Sequence, residues 1–268
     1  MSIHFLRSPK PRNAVLEELY ARLRRRGHEV SESIPDLDAC DVDLVPEHDL
    51  YVLKARSPLA VSVATVLQRG GARVVNAPAA CSLLLDKIVA TSILRRGGVP
   101  TPRTWAVTDP GALQTGAFED RLPLILKPFD GIASRGLQLV VDRKGLAALG
   151  PWTGPMLAQE FVDGCRYRHK VHVVGERVFA TRKVFSLGGD PDDGTVVEPG
   201  EEVASIARRC GRLFGLMFYG LDVLIGREGP VVVDLNSFPG YGGVREAPEA
   251  LADHIEEIAH GRLELTPR

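Results

Sequence analysis

The chain has 268 residues, is 44% hydrophobic and 25% charged, and carries a formal net charge of −1. That length buries a substantial core in two or three associated subdomains, and the near-zero charge excludes a global field that would draw the protein to nucleic acid or to an anionic membrane. Cys40, Cys81, Cys165 and Cys210 are scattered without metal-ligand spacing, which fits a reduced, cytoplasmic setting better than a zinc site or a disulfide framework. No stretch is apolar for long enough to span a bilayer, and the chain does not begin with a charged-then-apolar leader. The partners to expect are small molecules or peptides, with the oligomeric state left open.

In chain order, Ile3 to Leu6 reads as a short strand and is followed by a basic loop with Arg7, Lys10 and Arg12. Leu16, Leu19, Tyr20 and Leu23 then recur at helical spacing up to Gly27. A strand over 50–53, a helix over 57–68 ending at Gly70-Gly71, and a strand over 73–76 complete an alternation that predicts an α/β fold with a parallel sheet. Ligands of such sheets sit at the carboxyl ends of the strands. Arg7, Lys10, Lys54 and Arg56 lie there, and Arg7 and Lys54 are taken as candidate substrate contacts. One helix is expected over 82–96, capped by Ser82 and stopped by Gly97-Gly98. Beyond Trp105 the strands carry antiparallel turn signals: 123–127, 137–142, 156–162, 170–174, 177–185, 218–225 and 230–236. Helices are expected at 201–214 and 248–259. The Gly-, Asp- and Pro-rich stretch 188–200 reads as a mobile loop.

The most informative residues are Asp222, Asp234 and Asn236. They interrupt two otherwise apolar strands joined by a tight turn, and ionised carboxylates are costly there unless compensated. Asp234 and Asn236, two apart on a strand, share a face, and the hairpin brings Asp222 beside them. Three converging oxygen donors suit Mg²⁺ (or Mn²⁺) with phosphate oxygens completing the shell. Lys127 ends another apolar strand and opens the loop Gly131-Ile-Ala-Ser134-Arg135-Gly136. Backbone N–H groups of such a loop can cradle phosphate beside the lysine's charge. The run Gln159-Glu160-Phe161-Val162-Asp163 can offer backbone groups to an adenine edge. Lys170, Arg182 and Lys183 lie on successive strands joined at Gly175. Lys170 and Lys183 are expected to face each other across the hairpin, where two cations repel unless an anion lies between them, so all three are catalytic candidates. His169 and His172 flank this group.

In this order the motifs resemble the ATP-grasp superfamily from about Asp86 to Ala259. The resemblance implies an ATP-grasp fold: an N-terminal αβ substrate-side subdomain (1–84), a central subdomain with the phosphate loop (85–160) and a C-terminal subdomain with the metal site (161–268). It adds Lys87 as a first ATP-contacting lysine beside Lys127, and Gly240, Tyr241 and Gly242 as part of a substrate loop. Two branches compete. Arg135-Gly136 and Asn236-Ser237 resemble the RimK-like carboxylate–amine ligases, from which Ile132 and Ser134 depart. The run from Gln159 to Lys170, the Lys170–Gly175 strand and the Asp234–Tyr241 ending resemble the inositol tris/tetrakisphosphate kinases. Gly164 and Lys183 depart from that branch where a histidine and an arginine are expected. A chain of charge −1 with only Arg7, Lys10, Lys54, Lys170 and Arg182 as pocket cations is poorly equipped for a polyphosphorylated ring. The expected function is therefore an ATP- and Mg²⁺-dependent ligase, with a small-molecule kinase as the alternative and a non-catalytic nucleotide-binding module as a third reading.

Overall fold

A computed structural model describes residues 1–129, 136–185 and 194–263. Gly131 and Ser134 of the phosphate loop, and 188–193 of the expected mobile loop, lie outside the described residues. The chain opens with β1 (Ser2–Leu6), α1 (Ala14–Arg25), β2 (Glu29–Ser33), β3 (Leu50–Leu53), α2 (Pro58–Arg69) and β4 (Val74–Val75). These four strands pair in parallel in the order β2-β1-β3-β4. Both helices begin at polar caps: Asn13 Oδ1 accepts from Leu16 N at 3.1 Å and Ser57 Oγ from Ala60 N at 3.1 Å. Strand β2 was not expected, because it is an edge strand of sequence Glu-Val-Ser-Glu-Ser with neither an apolar run nor strong alternation.

The single helix expected over 82–96 is two, α3 (Pro78–Leu85) and α4 (Lys87–Arg96). Asp86 has an extended backbone and its carboxylate accepts from Ile88 N at 2.9 Å and Val89 N at 3.0 Å. It therefore ends one helix and caps the next. Ser82 lies inside α3 and caps nothing. The break matters because it puts Lys87 in the first turn of α4.

A second sheet follows: β5 (Thr104–Val107), a 3₁₀ turn (Pro110–Leu113), α5 (Gly116–Glu119), β6 (Leu124–Pro128), β7 (Gln138–Val140), α6 (Arg143–Ala147) and β8 (Met156–Glu160). It is antiparallel in the order β5-β8-β6-β7. The third comprises β9 (Tyr167–Val174), β10 (Arg177–Val184), β11 (Thr195–Val197), β12 (Phe218–Gly226) and β13 (Gly229–Ser237), in the order β11-β10-β9-β12-β13, with α7 (Glu201–Phe214) between β11 and β12. Strand β11 falls inside the stretch expected to be loop. One face of this sheet packs Val171, Val173, Leu221 and Val223 against Val203, Ile206, Ala207, Cys210 and Phe214 of α7. Gly211 admits the Tyr219 ring, whose hydroxyl donates to Ala207 O at 2.9 Å.

The last helix, α8 (Ala247–Ala259), returns to the first sheet. Leu251, Ile255 and Ile258 join Ile3, Phe5, Leu19 and Leu23 in one core. Above that core, Arg22 and Arg26 pair with Glu249, Asp253 and Glu256. A second tie is buried: Asn76 Oδ1 accepts from Met217 N at 2.9 Å and Phe218 N at 3.0 Å, while its Nδ2 donates to Phe218 O at 2.7 Å. The start of β12 is thus fixed to the end of the first sheet.

Candidate active site

The face of the third sheet that turns away from α7 carries three cross-strand rows. One row is Phe179, His172, Gly220 and Asn236; the next is Thr181, Lys170, Asp222 and Asp234; the third is Lys183, Arg168 and Leu224. Asp222 and Asp234 are therefore directly opposite each other, with Asn236 one step along the same face. Like charges opposed in this way repel unless cations compensate them, and here they do. Lys87 Nζ lies 3.6 Å from Asp234 Oδ1, and Arg168 Nη1 lies 3.9 Å from Asp222 Oδ2. Asn236 Nδ2 donates to Asp234 Oδ2 at 2.9 Å, which turns its amide oxygen outward to accept from Arg56 Nη1.

A β-bulge follows Asp222, so Val223 pairs with Val232 and Val233 has no partner in the ladder. Its carbonyl accepts from Lys127 Nζ at 3.1 Å. Lys127 also donates to Gln159 Oε1 at 3.2 Å, and Gln159 Nε2 donates to Thr104 Oγ1 at 2.9 Å. Burial draws the Lys127 ammonium down to about 8; Asp234 and Asp222 oppose that shift and Lys87 adds to it. For Asp234 burial alone would raise the carboxyl, but Lys87 and Lys127 outweigh it, helped by Asn236 and Arg56, and hold it below its ordinary value. Asp234 is therefore ionised at neutral pH.

An open cleft lies beside these groups, lined by Lys87, Ile125, Lys127, Leu137, Gln159, Glu160, Phe161, Val162, Arg168, Phe185, Asp222, Leu224 and Asp234. Its walls come from both antiparallel sheets, apolar at Ile125, Leu137, Phe185 and Leu224 and charged at the Asp222–Asp234 end. The Glu160 carboxylate is held by Arg121 at 3.1 Å, and the Arg121 guanidinium lies over Trp105. Asp163 lies outside the lining, exposed and paired with Arg227 at 2.9 Å. Gly136 has φ +76°, and a β-carbon there would strike the Pro128 ring. A glycine is thus required where the chain re-enters β7.

Hard oxygen donors fit Mg²⁺, and Asp222, Asp234 and the Asn236 amide supply three. This set has only two carboxylates; among the described residues no cluster of three or more His, Cys, Asp or Glu side chains is placed to hold a metal.

Other expected contacts are placed differently. Lys170 stands opposite Thr181 and Lys183 opposite Arg168, so the two lysines share the acidic face as diagonal neighbours instead of facing each other. Arg182, paired with His169, lies on the reverse face with its guanidinium over the Tyr167 ring. Strand alternation puts it on the far side from Asp222. Arg7 is buried and committed to Glu32 through two hydrogen bonds of 2.9 and 3.0 Å, and to Ser8 O and Lys10 O. Lys54 donates to Phe238 O at 3.0 Å; burial, with Arg56, Lys10 and Arg7 nearby, draws it down to about 8. Tyr241 is buried at φ +53°, its hydroxyl donating to Val173 O at 2.8 Å. Gly240 is exposed, its carbonyl held by Asn13 Nδ2 at 2.7 Å, and Gly242 is half-buried beside it.

His172 has no expected role beyond flanking Lys170, Arg182 and Lys183. It is 3% exposed, with both ring nitrogens unpartnered. Burial, then Lys170 and Lys183, draw it down to about 4. A histidine depressed in the folded state is protonated more readily when unfolded. Its contribution to stability is thus complete above about 6.5 and is lost as pH falls towards 4, about 3 kcal/mol in all. We expect urea midpoints to fall between pH 7 and pH 4.5, and His172→Phe to flatten that fall while leaving stability at pH 7 equal or higher. An equally steep fall in the variant would assign the acid sensitivity elsewhere.

Residues 85–257 match the RimK-like ATP-grasp domain. The chain belongs to the RimK-like ATP-grasp family. It is 26% identical over 266 residues to a probable α-L-glutamate ligase of Vibrio vulnificus (strain YJ016), covering 86% of this chain and 88% of that one. It is 28% identical over 206 residues to inositol-tetrakisphosphate 1-kinase 2 of Glycine max, covering 63% of this chain and 64% of that one. The ATP-grasp ligase PsnB, solved with a minimal precursor, Mg and ADP, superimposes with a TM-score of 0.71 at 21% identity, over 96% of this chain and 97% of that one. The ATP-grasp fold expected from the motif order is thereby borne out, and the family makes this RimK-like protein an ATP-using enzyme of the ligase type. Among the described residues no helix is long and apolar enough to cross a membrane.

Proposed function

We propose that this RimK-like protein joins the carboxylate of a small molecule or peptide to an amine, using ATP. The observation that carries the reading is the opposed pair Asp222 and Asp234, compensated by Lys87, Lys127 and Arg168, at the charged end of a largely apolar cleft. In this reading Asp222, Asp234 and Asn236 hold Mg²⁺ (or Mn²⁺), which neutralises phosphate charge when bound. Lys87, Lys127, Gln159 to Val162 and the loop from Gly131 through Ser134 to Gly136 hold the nucleotide. Lys170 and Lys183 face the reacting groups, and Lys54, Gly240 and Gly242 border the acceptor. The division at 84/85 and 160/161 then separates the acceptor side from the two walls of the nucleotide cleft.

The acceptor carboxylate oxygen attacks the γ-phosphorus, the bond to the bridging oxygen of ADP breaks, and an acyl phosphate forms. The amine then attacks the acyl carbon, phosphate leaves with the C–O bonding pair, and the amine proton is released. The protein supplies orientation and fixed charge for both steps. Likeness to the inositol kinase favours a second reading, transfer to an alcohol. The acceptor side argues against a polyphosphorylated substrate, because Arg7 is spent on Glu32 and Arg182 faces away. Measuring ADP and free phosphate together across acids, amines and polyols tests the choice. Equal amounts of both, dependent on an amine, are expected; ADP without phosphate would show a kinase.

A further inference from the structure

Arg56 enters the site from a different sheet. It follows β3 by three residues, is exposed, and its Nη1 donates to the Asn236 amide oxygen. That oxygen is the third donor of the proposed metal set, and the amide cannot turn it elsewhere without giving up the bond from Nδ2 to Asp234. A guanidinium and a divalent cation addressing one oxygen repel at that range. An anion between them removes the conflict, and the anion that accompanies a divalent cation in this reading is the terminal phosphoryl group. The neighbourhood already has excess positive charge, because Arg56, Lys10 and Arg7 all lie close enough to act on Lys54, and among the described residues only Arg7 of these has an acid partner. A planar fork of donors on an exposed side chain suits two phosphoryl oxygens better than a buried lysine does.

We propose that Arg56 is a catalytic residue, donated by the first sheet, that binds the terminal phosphoryl oxygens of the nucleotide beside Asn236. This rests on the assignment of Asp222, Asp234 and Asn236 as metal ligands. It makes the reach of the first sheet onto the third part of the transfer step: Arg56 meets the γ-phosphoryl group only when the two are closed together.

The test is binding, measured by calorimetry on the full chain. With Arg56→Gln, affinity for the Mg²⁺ complex of a non-hydrolysable ATP analogue should fall at least about tenfold, the effect of losing a charge-assisted hydrogen bond. Affinity for Mg²⁺·ADP, which lacks the terminal group, should change less than about twofold. Without nucleotide, Mn²⁺ binding followed by water-proton relaxation should tighten, since a competing cation has gone from Asn236. Arg56→Lys should keep part of the preference for the triphosphate. Equal losses for the analogue and for ADP, or weaker Mn²⁺ binding, would show that Arg56 only braces Asn236 and overturn the proposal. No change in any of the three measurements would overturn it as well. Asp234→Asn is measured alongside: if it leaves Mn²⁺ affinity untouched, the metal assignment itself fails, an outcome distinct from a failure confined to Arg56.

Discussion

Asp234→Asn is expected to lower turnover by at least about 10³-fold, the scale on which fixed transition-state charge is lost, while the protein remains folded. The substitution keeps the size of the side chain and its place opposite Asp222, and removes one negative charge. Three groups respond. The proposed metal set drops from two carboxylates to one. Lys87 loses the partner it holds at 3.6 Å. Lys127, 9% exposed and already drawn down to about 8 by burial, loses the first of the two charges that oppose that shift. Its ammonium should therefore fall further and be largely neutral at pH 8, where the parent's is about half protonated, so the alkaline decline of residual activity should set in at lower pH in the variant than in the parent. Asn236→Ala should produce a comparable loss of turnover without that pH effect, because it removes an oxygen donor and no charge. ADP release between pH 6.5 and 9 measures both. Retained turnover in the two variants would remove the metal assignment.

How far the sequence foretold this site depends on whether a residue's role is set by its own strand or by its neighbours. Asp222, Asp234 and Asn236 were legible because a charge in an apolar strand has few explanations and a tight hairpin fixes which residues meet. Lys127 was legible for the same reason, although nothing local told that the Val233 carbonyl at the bulge and the Gln159 amide oxygen would receive the lysine. Register across longer strands was not legible. A two-residue difference put Lys170 opposite Thr181 instead of Lys183, and Arg182, next to Lys183, falls on the reverse face because successive side chains alternate. Arg7 and Tyr241 are placed otherwise than expected for a different reason. Each has the right chemistry for a ligand contact, but Arg7 is consumed by Glu32, a residue of the unforeseen strand β2, and Tyr241 is drawn into the core where its hydroxyl meets Val173 O. The return of α8 to the first sheet likewise depends on partners more than 220 residues away. Arg56 lay between these cases: its place after a parallel strand marked it, yet only the tertiary contact with Asn236 gives it a function to test.

The largest expected effect on stability lies outside the cleft, at Asn76. Its side chain satisfies two backbone N–H groups and one carbonyl at the start of β12, all buried. Asn76→Ala strands the two N–H groups, while Phe218 O keeps the bond it accepts from Phe238 N at 2.8 Å; at about 1–3 kcal/mol for each buried group left unpaired, we expect a total loss of about 2–4 kcal/mol after partial relaxation. That is a large share of the roughly 5–15 kcal/mol that holds a folded protein together. Asn76→Asp distinguishes loss of hydrogen bonds from loss of shape. Its first oxygen can still accept from Met217 N and Phe218 N, but its second faces the Phe218 carbonyl, which repels an ionised carboxylate and accepts from a protonated one. The aspartic acid should therefore have a raised pKa in the folded state, and stability measured against the parent at each pH should be regained as pH is lowered. Urea unfolding at pH 7.5 and pH 5 reads this directly; a deficit that stays constant would mean that Asn76 matters through packing. The consequence reaches the site because β12 carries Asp222 while the first sheet carries Lys54 and Arg56. Loosening the tie between them should impair turnover in Asn76→Asp at pH 7.5 beyond what the folded fraction explains, with affinity for Mg²⁺·ADP, proposed to bind in the cleft between the other two sheets, left close to that of the parent.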